Sequence, residues 1–513
     1  MIANGFYHAG SVFRHGPVMF ASRFMPCARP LRLSRAFLAL SPTCLAAAAL
    51  AQGVATDMQL QPVEVSDTRA QLDPNLPSST ASRTRQQLRA QNVFNAEDAI
   101  TRLPRVSLRK RYFGDRNAMV GGRSHGTLQP GRSLVYLDGY LISNFLGRFD
   151  APRWSMVNVE ALERVDALYG PFSAIDPGNS MGVTIVMTER KPKGFEASAS
   201  LKYNRHRYRQ YAVDDHYGSK QLSARLASRL DSGLWYAVSL QRQDSKSHPQ
   251  NFVNAVRGVT NGAFASPGAG TRVDGIRYDL DPALRPRALF GASGFDHTVQ
   301  DTLNLCLGYD ISAMQEIEGR VSFWRHDSNV SAATWLRDTA GRPVWSGRVH
   351  DGAYSFTLNG NALAPSQRED LHRQMGLTWK TRRPTGWNGS VVLTHYAMLK
   401  DLNRQASLPQ PQALPGGAGS VTRRGGTGWH TLEVQAAYTP TASMFNTEMN
   451  TDSHPDVYGG ASRLNQLDLK AVWRFAPHWE WSLGVLNVNN NKAWQGHPFA
   501  QRSIQTGLRF AMQ

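Results

Sequence analysis

The sequence predicts a mainly β protein in which an N-terminal α+β region precedes a C-terminal antiparallel transmembrane β-barrel. Three observations carry that prediction. An export signal opens the chain, long alternating segments with aromatic ends fill its C-terminal part, and no apolar run is long enough for a membrane helix. Composition agrees: charged residues make up 19 % of the 513-residue chain, against roughly 25 % in soluble domains, yet mean hydropathy is negative. The polarity therefore comes from Ser, Thr, Asn, Gln, Gly and His, a mixture that suits strands and turns better than helical bundles.

Residues 1–51 read as a signal peptide with an upstream extension. Arg29, Arg32 and Arg35 precede an apolar run over 36–50 that closes at Ala49-Leu50-Ala51, the small-x-small pattern of a cleavage site. The run is too short and interrupted to span a bilayer. Cleavage near Ala51 is expected, with Met19 or Met25 as candidate starts. Of Cys27, Cys44 and Cys306 only Cys306 survives such cleavage, which suits an oxidising compartment where a lone thiol has nothing to cross-link with.

Residues 52–80 form an extended segment and linker, and 81–190 carry mixed signals. In QQLRAQNVFNAEDAITRLP, Leu88, Val93, Ala96 and Ile100 keep helical spacing, Asn95 is placed to cap ahead of Glu97 and Asp98, and Pro104 stops the helix. RSLVYLDGYLI predicts a hairpin, because Asp138-Gly139 joins two apolar runs and tolerates positive φ at both turn positions. RVDALYGPFSAIDPGNSMG reads as a strand halted at Gly170-Pro171, since proline cannot donate to a ladder. The small residues after it allow a tight return into the strand GVTIVMTER.

Residues 191–513 alternate. In HWEWSLGVLNV, Trp479, Trp481, Leu483 and Val485 face one way and His478, Glu480, Ser482 and Gly484 the other; RSIQTGLRFAM repeats the pattern with Ile504, Thr506, Leu508, Phe510 and Met512. Comparable strands are predicted at 198–207, 221–230, 234–243, 302–311, 317–326, 373–383, 387–397, 430–438 and 465–475, with loops over 244–301 and 399–429. Segments of roughly ten residues, apolar outward and polar inward, are the pattern of a membrane barrel, whose closure satisfies every backbone group without an exposed edge. Trp235, Trp324, Trp379, Trp387, Trp429, Trp473 and Trp479 stand at strand ends, as a membrane interface favours. A soluble β-sandwich alternates in the same way and is the alternative.

The net charge of +18 includes no Lys/Arg run interleaved with aromatics, so it reads as solvated loops and not as a nucleic-acid surface. The fifteen histidines show no H-x-x-x-H or H-E-x-x-H spacing, and no Cys-x-x-Cys pair occurs, so neither a metal centre nor a cofactor is expected. Gly122-Arg123-Ser124-His125-Gly126 fits Gly-x-Ser-x-Gly, a motif that needs a strand before it and a helix after it. TLQPGRSLVYLDG continues instead with proline, glycine and another strand, which leaves a secreted serine hydrolase as the weakest reading; no enzyme activity is expected.

Taken in order, several stretches resemble the TonB-dependent outer-membrane receptors. MQLQPVEVSDTR (58–69) resembles the energy-coupling box, here Pro62, Val63, Glu64, Val65 and Ser66, and NAEDAITRLPRVSLRK resembles the plug helix and first plug strand. VGGRS (120–124) stands at the family's Arg-Gly-containing strand, SLVYLDGYLI matches the Val-x-x-Asp-Gly hairpin, and ALERVDALYGP matches Ile-Glu-Arg-Val-Glu-Val-x-x-Gly-Pro. Residues 456–510 are similar to the last three barrel strands. The resemblance implies a plug domain (81–190) inside a transmembrane barrel (191–513) in the outer membrane, importing a scarce ligand such as a ferric siderophore or other metal chelate. A periplasmic TonB-like transducer would pull on the 62–66 segment by β-augmentation. No signalling domain fits between Ala51 and Leu60.

The same resemblance assigns a structural role in the plug to Arg123, Asp138, Gly139, Glu163, Arg164, Gly170 and Pro171, with Arg123, Glu163 and Arg164 facing charges on the barrel wall. Tyr112, Phe113, His125, Asn144 and Phe145 would face the ligand, with lumen packing as the alternative for each. Tyr169 stands where the family usually has Arg, Asp176-Pro177-Gly178 replaces a Tyr-Gly step, Met181-Gly182 replaces a Gly-Gly pair, and the chain runs past Phe510. Plugged transporters have about 22 strands and about a dozen can be recognised here, which predicts a barrel shortened near 440–450. The alternative function is a non-functional truncated remnant or a passive surface barrel.

Overall fold

The computed structural model describes residues 79–122, 132–143, 151–170, 182–381, 389–406, 419–423, 427–430, 457–459, 469–476, 478–492, 494–495 and 497–512. The cleavage site, the 62–66 segment, the 440–450 region, Arg123, His125, Asn144, Phe145 and Pro171 lie outside the described residues.

The N-terminal domain begins with β1 (Thr80–Thr84) and α1 (Arg85–Ala90). A reciprocal cap starts the helix: the Thr84 hydroxyl accepts the Gln87 N–H at 3.5 Å and the Gln87 amide oxygen accepts the Thr84 N–H at 3.0 Å. Leu88, Val93, Ala96 and Ile100 are all buried, as their spacing predicts, but not on one helix. The chain breaks over 91–95 because the Asp98 carboxylate accepts the N–H groups of Phe94 (3.0 Å) and Asn95 (2.8 Å) and opens a separate 3₁₀ turn, Ala96–Ile100. Asn95 stands at the N-cap of that turn, ahead of Glu97 and Asp98 as predicted, and its side chain bonds to Gln243 and accepts from Lys110 at 3.1 Å.

Next come β2 (Val106–Arg109), β3 (Met119–Gly122), β4 (Leu134–Leu137), β5 (Tyr140–Leu141), β6 (Leu162–Tyr169) and β7 (Val183–Glu189). β2 pairs with β3, and the other strands form a five-stranded sheet in the order β1-β6-β7-β4-β5, parallel only between β4 and β7. The predicted hairpin joins β4 to β5 with Asp138 at φ 52° and Gly139 at φ 91°, the double positive φ of a type I′ turn. One core of Leu88, Ile100, Val120, Val135, Trp154, Val165, Ile185 and their neighbours holds the domain.

The second region is built on long strands: β8 (Glu196–Gln210), β9 (Val213–Arg229) and β10 (Leu234–Lys246). Loop strands β11 (Asn251–Val256), β12 (Thr271–Asp274) and β13 (Arg277–Leu280) precede β14 (Pro286–Ser312) and β15 (Gln315–Thr334). A further loop carries β16 (Arg337–Asp338), β17 (Gly347–His350) and β18 (Ser355–Leu358), and β19 (Ser366–Thr381) and β20 (Gly389–Ala406) follow. The chain ends with β21 (Gly419–Arg423), β22 (Thr427–His430), β23 (Leu469–Ala476), β24 (Trp479–Leu486), β25 (Trp494–Gln495), β26 (His497–Pro498) and β27 (Ser503–Met512).

Fourteen of these strands form one antiparallel sheet in the order β21-β20-β19-β15-β14-β10-β9-β8-β27-β24-β23, with β11 and β13 paired to β14 and β22 to β20; β16-β12-β17-β18 and β25-β26 form two small sheets of their own. The first strand pairs with the last, from His206 opposite Ser503 to Ala197 opposite Met512, as closure of a barrel requires. Among the described residues the ring is not closed, and its edges are β23 and the β20–β22 side. One end of the sheet has the tight turns after β9, β14 and β23; the other has the long connections after β10 and β15.

Polarity is inverted relative to a soluble sandwich. Inward positions are polar and buried: Ser200, Asn204, Gln221, Ser223, Gln243, Gln300, Asn304, Ser322 and Gln374. Outward positions are apolar and exposed: Leu201, Leu222, Leu240, Leu307, Leu377 and Leu393. Trp473, Phe475, Trp479 and Phe510 form a ring-on-ring cluster at the tight-turn end. No helix among the described residues is long and apolar enough to cross a membrane.

Candidate functional site

The polar inner face of the sheet contacts the N-terminal domain from several of its strands, so the candidate site is the interface between them. Glutamines, a threonine and an asparagine of the wall bond to backbone carbonyls of the inner domain: Gln300 to Gly114 (2.7 Å), Thr302 to Ser155 (2.6 Å), Asn304 to Met156 (3.0 Å) and Gln374 to Leu141 (3.0 Å). Neutral donors on backbone acceptors are individually worth about 1 kcal/mol. Such contacts break one at a time.

Charged contacts cluster at two heights. Toward the tight-turn end, Arg320 of β15 reaches the Asp138-Gly139 turn and the end of β7, with one guanidinium nitrogen 2.6 Å from both Asp138 Oδ2 and Glu189 Oε2. The other Asp138 oxygen accepts the Glu189 N–H at 2.9 Å. Burial, tempered by Arg320, pushes the Asp138 carboxyl up to about 6. Nearby, Glu160 is 2.8 Å from Arg509 of β27 and 3.6 Å from Lys202 of β8. Burial would raise Glu160, but Lys202 and then Arg509 outweigh it and bring it down to about 2.

Toward the long-loop end, Arg111 grips Asp115 with two nitrogens, at 2.6 and 2.9 Å. Burial alone would raise the Asp115 carboxyl; Arg111 and two backbone donors hold it below its ordinary value. The Tyr112 hydroxyl donates to Asp296 of β14 at 2.6 Å. Arg116 lies 3.4 Å from Asp370 of β19, which also takes His326 Nδ1 (2.8 Å) and Arg368 Nε (3.0 Å). Burial lowers the Arg116 guanidinium to about 10. Arg153 lies over the Trp324 ring at 5.7 Å. Arg116 Nη2, Arg153 Nε and Arg153 Nη2 are buried without an acceptor among the described residues.

Asp370, His372 and Asp401 bring potential metal-ligating atoms within 4.8 Å of one another, a grouping that no short sequence spacing reveals. Arg368 bonds to both carboxylates, and Arg116 and His326 share Asp370. A cation would have to displace guanidinium groups from the oxygens it needs. The cluster is an ion-pair hub with spare N–H donors, suited to an anion.

Sequence-derived site residues divide clearly. Asp138 and Gly139 form the gripped turn, and Gly170 ends β6, its N–H bonding to Gly182 at 3.1 Å. Arg164 does not reach the wall: it bonds to Asp166 on its own strand at 2.6 Å, and Glu163 is exposed. The intervening β1 explains this, since Ser82 of β1 takes the other Asp166 oxygen and keeps that edge away from the barrel. Tyr112 and Phe113 are buried, Tyr112 bonded to Asp296 and Phe113 in edge contact with Phe94 at 5.3 Å. The wall partners Arg320, Asp296, Asp370 and Arg509 were missed. Their only signal in sequence is a charge at an inward position of an alternating strand.

Residues 74–184 match a family model described as the TonB-dependent Receptor Plug Domain. No curated protein matches the chain. Among solved structures, the ferric enterobactin receptor of Pseudomonas aeruginosa, a mutant in complex with enterobactin, aligns at a TM-score of 0.44 and 11 % identity, covering 85 % of this chain and 99 % of that one. The ferric-catecholate import receptor Fiu of E. coli K12 gives 0.41 and 13 %, covering 85 % and 96 %. The siderophore receptor PirA of P. aeruginosa gives 0.32 and 11 %, covering 85 % and 99 %.

Proposed function

We propose that this chain, whose N-terminal domain is a TonB-dependent receptor plug domain, is an outer-membrane receptor that imports a scarce ligand, a ferric siderophore or other metal chelate, with energy delivered by a periplasmic TonB-like transducer. One observation supports the reading most: the plug packs on the polar concave face of an antiparallel sheet whose outer face is apolar. A water-filled, plugged lumen in lipid needs that inversion.

The interface suggests how binding reaches the plug. An anionic chelate arriving from the long-loop end competes with Asp115, Asp296 and Asp370 for the donors of Arg111, Tyr112 and Arg116, and finds spare N–H groups on Arg153. Loosening those contacts loosens the apex from the wall. The pull on the 62–66 segment would arrive at β1, the edge strand of the plug sheet, which among the described residues pairs with β6 alone and is therefore the first to peel.

Growth on a ferric chelate as sole iron source tests the proposal, with and without Val63→Pro, which cannot pair as an added strand. Uptake by the parent and loss in the variant are expected. Uptake that survives the substitution rules out coupling through this segment. A passive surface barrel or non-functional remnant is the second reading, favoured by fourteen sheet strands among the described residues where plugged transporters have about 22. A correctly folded parent that supports no growth on any chelate would select it.

A further inference from the structure

The outer face of the sheet changes character at one level on neighbouring strands. On β8, Leu201 and Tyr203 give way to Arg205, Arg207 and Arg209; on β9, Leu226 and Leu222 to Lys220 and His216; on β10, Val238 and Leu240 to Arg242 and Lys246. The charged side is the long-loop end. Three of these cations already have partners: Arg207 and Arg209 share Asp214, and Arg242 bonds to Asp301. Arg205, Lys220 and Lys246 have none among the described residues. Asp244, the acid opposite Lys220, is engaged by His297 at 3.0 Å.

The register gathers those three cations around one point. Arg205 stands opposite Gly218 of β9, Lys220 is the next outward position along β9, and Lys246 of β10 follows Ser245, which pairs with Ser219. Strands about 4.8 Å apart and same-face residues about 6.8 Å apart along a strand make this a patch about 10 Å across, with no side chain at its centre. Tyr203 leans over it, its hydroxyl 3.7 Å from the position a Cβ on Gly218 would take. Apart from Asp244, which His297 engages, the side chains named around the patch are donors. Immediately below, Leu201, Leu222, Leu226 and Leu240 are 42–56 % exposed and form a continuous apolar face.

We propose that the outer face of β8, β9 and β10 binds a phosphorylated lipid of the leaflet at the long-loop end. Its phosphate sits among Arg205, Lys220, Lys246 and the Tyr203 hydroxyl, and its acyl chains lie along Leu201, Leu222, Leu226 and Leu240. A free anion would use only the upper half of this surface and a neutral lipid only the lower, whereas the two halves are contiguous on the same three strands. The inference rests on the sheet facing lipid, not on the identity of the imported ligand.

The test is lipid retention by the full-length protein in detergent, read by native mass spectrometry with diphosphorylated lipid A as the probe. The parent is expected to retain the lipid. The combined Arg205→Gln, Lys220→Gln and Lys246→Gln variant should lose on the order of a hundredfold in affinity, at roughly one surface-cation contribution per residue. Lipid A stripped of its phosphates should bind the parent as weakly as intact lipid A binds the variant. Unchanged heat-modifiable migration of the variant shows that its barrel is folded; if it does not fold, Lys246→Gln alone should weaken binding about fivefold. Equal retention by parent and folded variant, equal retention of the dephosphorylated lipid, or complete displacement by millimolar inorganic phosphate would each overturn the proposal, the last by reducing the site to an anion site.

Discussion

Glu97 and Asp98 share a single ammonium, Lys110 Nζ, at 3.0 and 2.8 Å, inside the plug. Burial, only partly offset by Lys110, pushes Glu97 up from 4.5 to about 7. The folded state therefore holds this proton more tightly than the unfolded chain, and the contribution of Glu97 to stability falls as pH rises from about 4.5 through about 7. Glu97→Gln should raise plug stability at pH 8 by on the order of 1–2 kcal/mol and leave it unchanged at pH 4. Urea midpoints of plug unfolding at both pH values check this; identical pH slopes for parent and variant would contradict it. Lys110 keeps Asp98, so the substitution strands no charge. Tyr169 makes the complementary point about a family departure. It is 3 % exposed and donates its hydroxyl to the Pro104 carbonyl, so the position is filled and satisfied without the counter-charge that a buried arginine would need. That residue was legible as a departure from the family pattern. Its compensation was not, because Pro104 is distant in sequence.

The β4–β5 hairpin shows how far an element can be read ahead of its structure. Asp138-Gly139 announced the turn type, and the dihedral angles agree, because only short-range sterics decide it. The grip of Arg320 on that turn was invisible, since the partner lies 182 residues away on a wall strand. Two changes separate the turn from the grip. Gly139→Val places a β-branched residue at φ 91° and should cost about 1–3 kcal/mol of local stability, whatever Arg320 does. Arg320→Met leaves Asp138 and Glu189 buried without their counter-ion and should cost about 3–5 kcal/mol, an amount that Asp138→Asn in the same protein partly restores. Hydrogen exchange of the 134–141 amides reads both, and a latch predicts non-additivity for the second pair; additive effects would mean that Arg320 stabilises the barrel alone. Strand ends were less legible than this turn. β14 begins at Pro286 inside what the pattern marks as a loop, because Ala288, Leu289 and Phe290 are buried on both faces, in two separate clusters, and so do not alternate while the ladder continues.

At the scale of the whole molecule, the feature that distinguishes a lipid-facing barrel from a soluble sandwich is which face of each strand is apolar. Sequence alternation cannot decide this, since either face fits the same pattern; the packing of the plug does, by turning Ser322, Gln374 and Asn304 inward and Leu307, Leu377 and Leu393 outward. Leu307 is a sharp probe. It is 56 % exposed and stands in a cross-strand row with Tyr236, Gly319 and Leu377, well below the charged level that begins at Asp301. In a soluble protein, Leu307→Arg at such a site is nearly neutral, because an exposed leucine loses little and the guanidinium is solvated. In a membrane barrel the same change puts a cation near the middle of the apolar band, at a cost of about 2–4 kcal/mol. Leu307→Arg should therefore lower the yield of the heat-modifiable form, while Asn329→Arg, on the outward face of the same sheet above the band, should not. The comparison is made in one membrane preparation, unboiled against boiled, so that folding and lipid burial are read together. Equal yields for the two variants would mean that the leucine face meets water, and both the receptor reading and the lipid site above would fall with it.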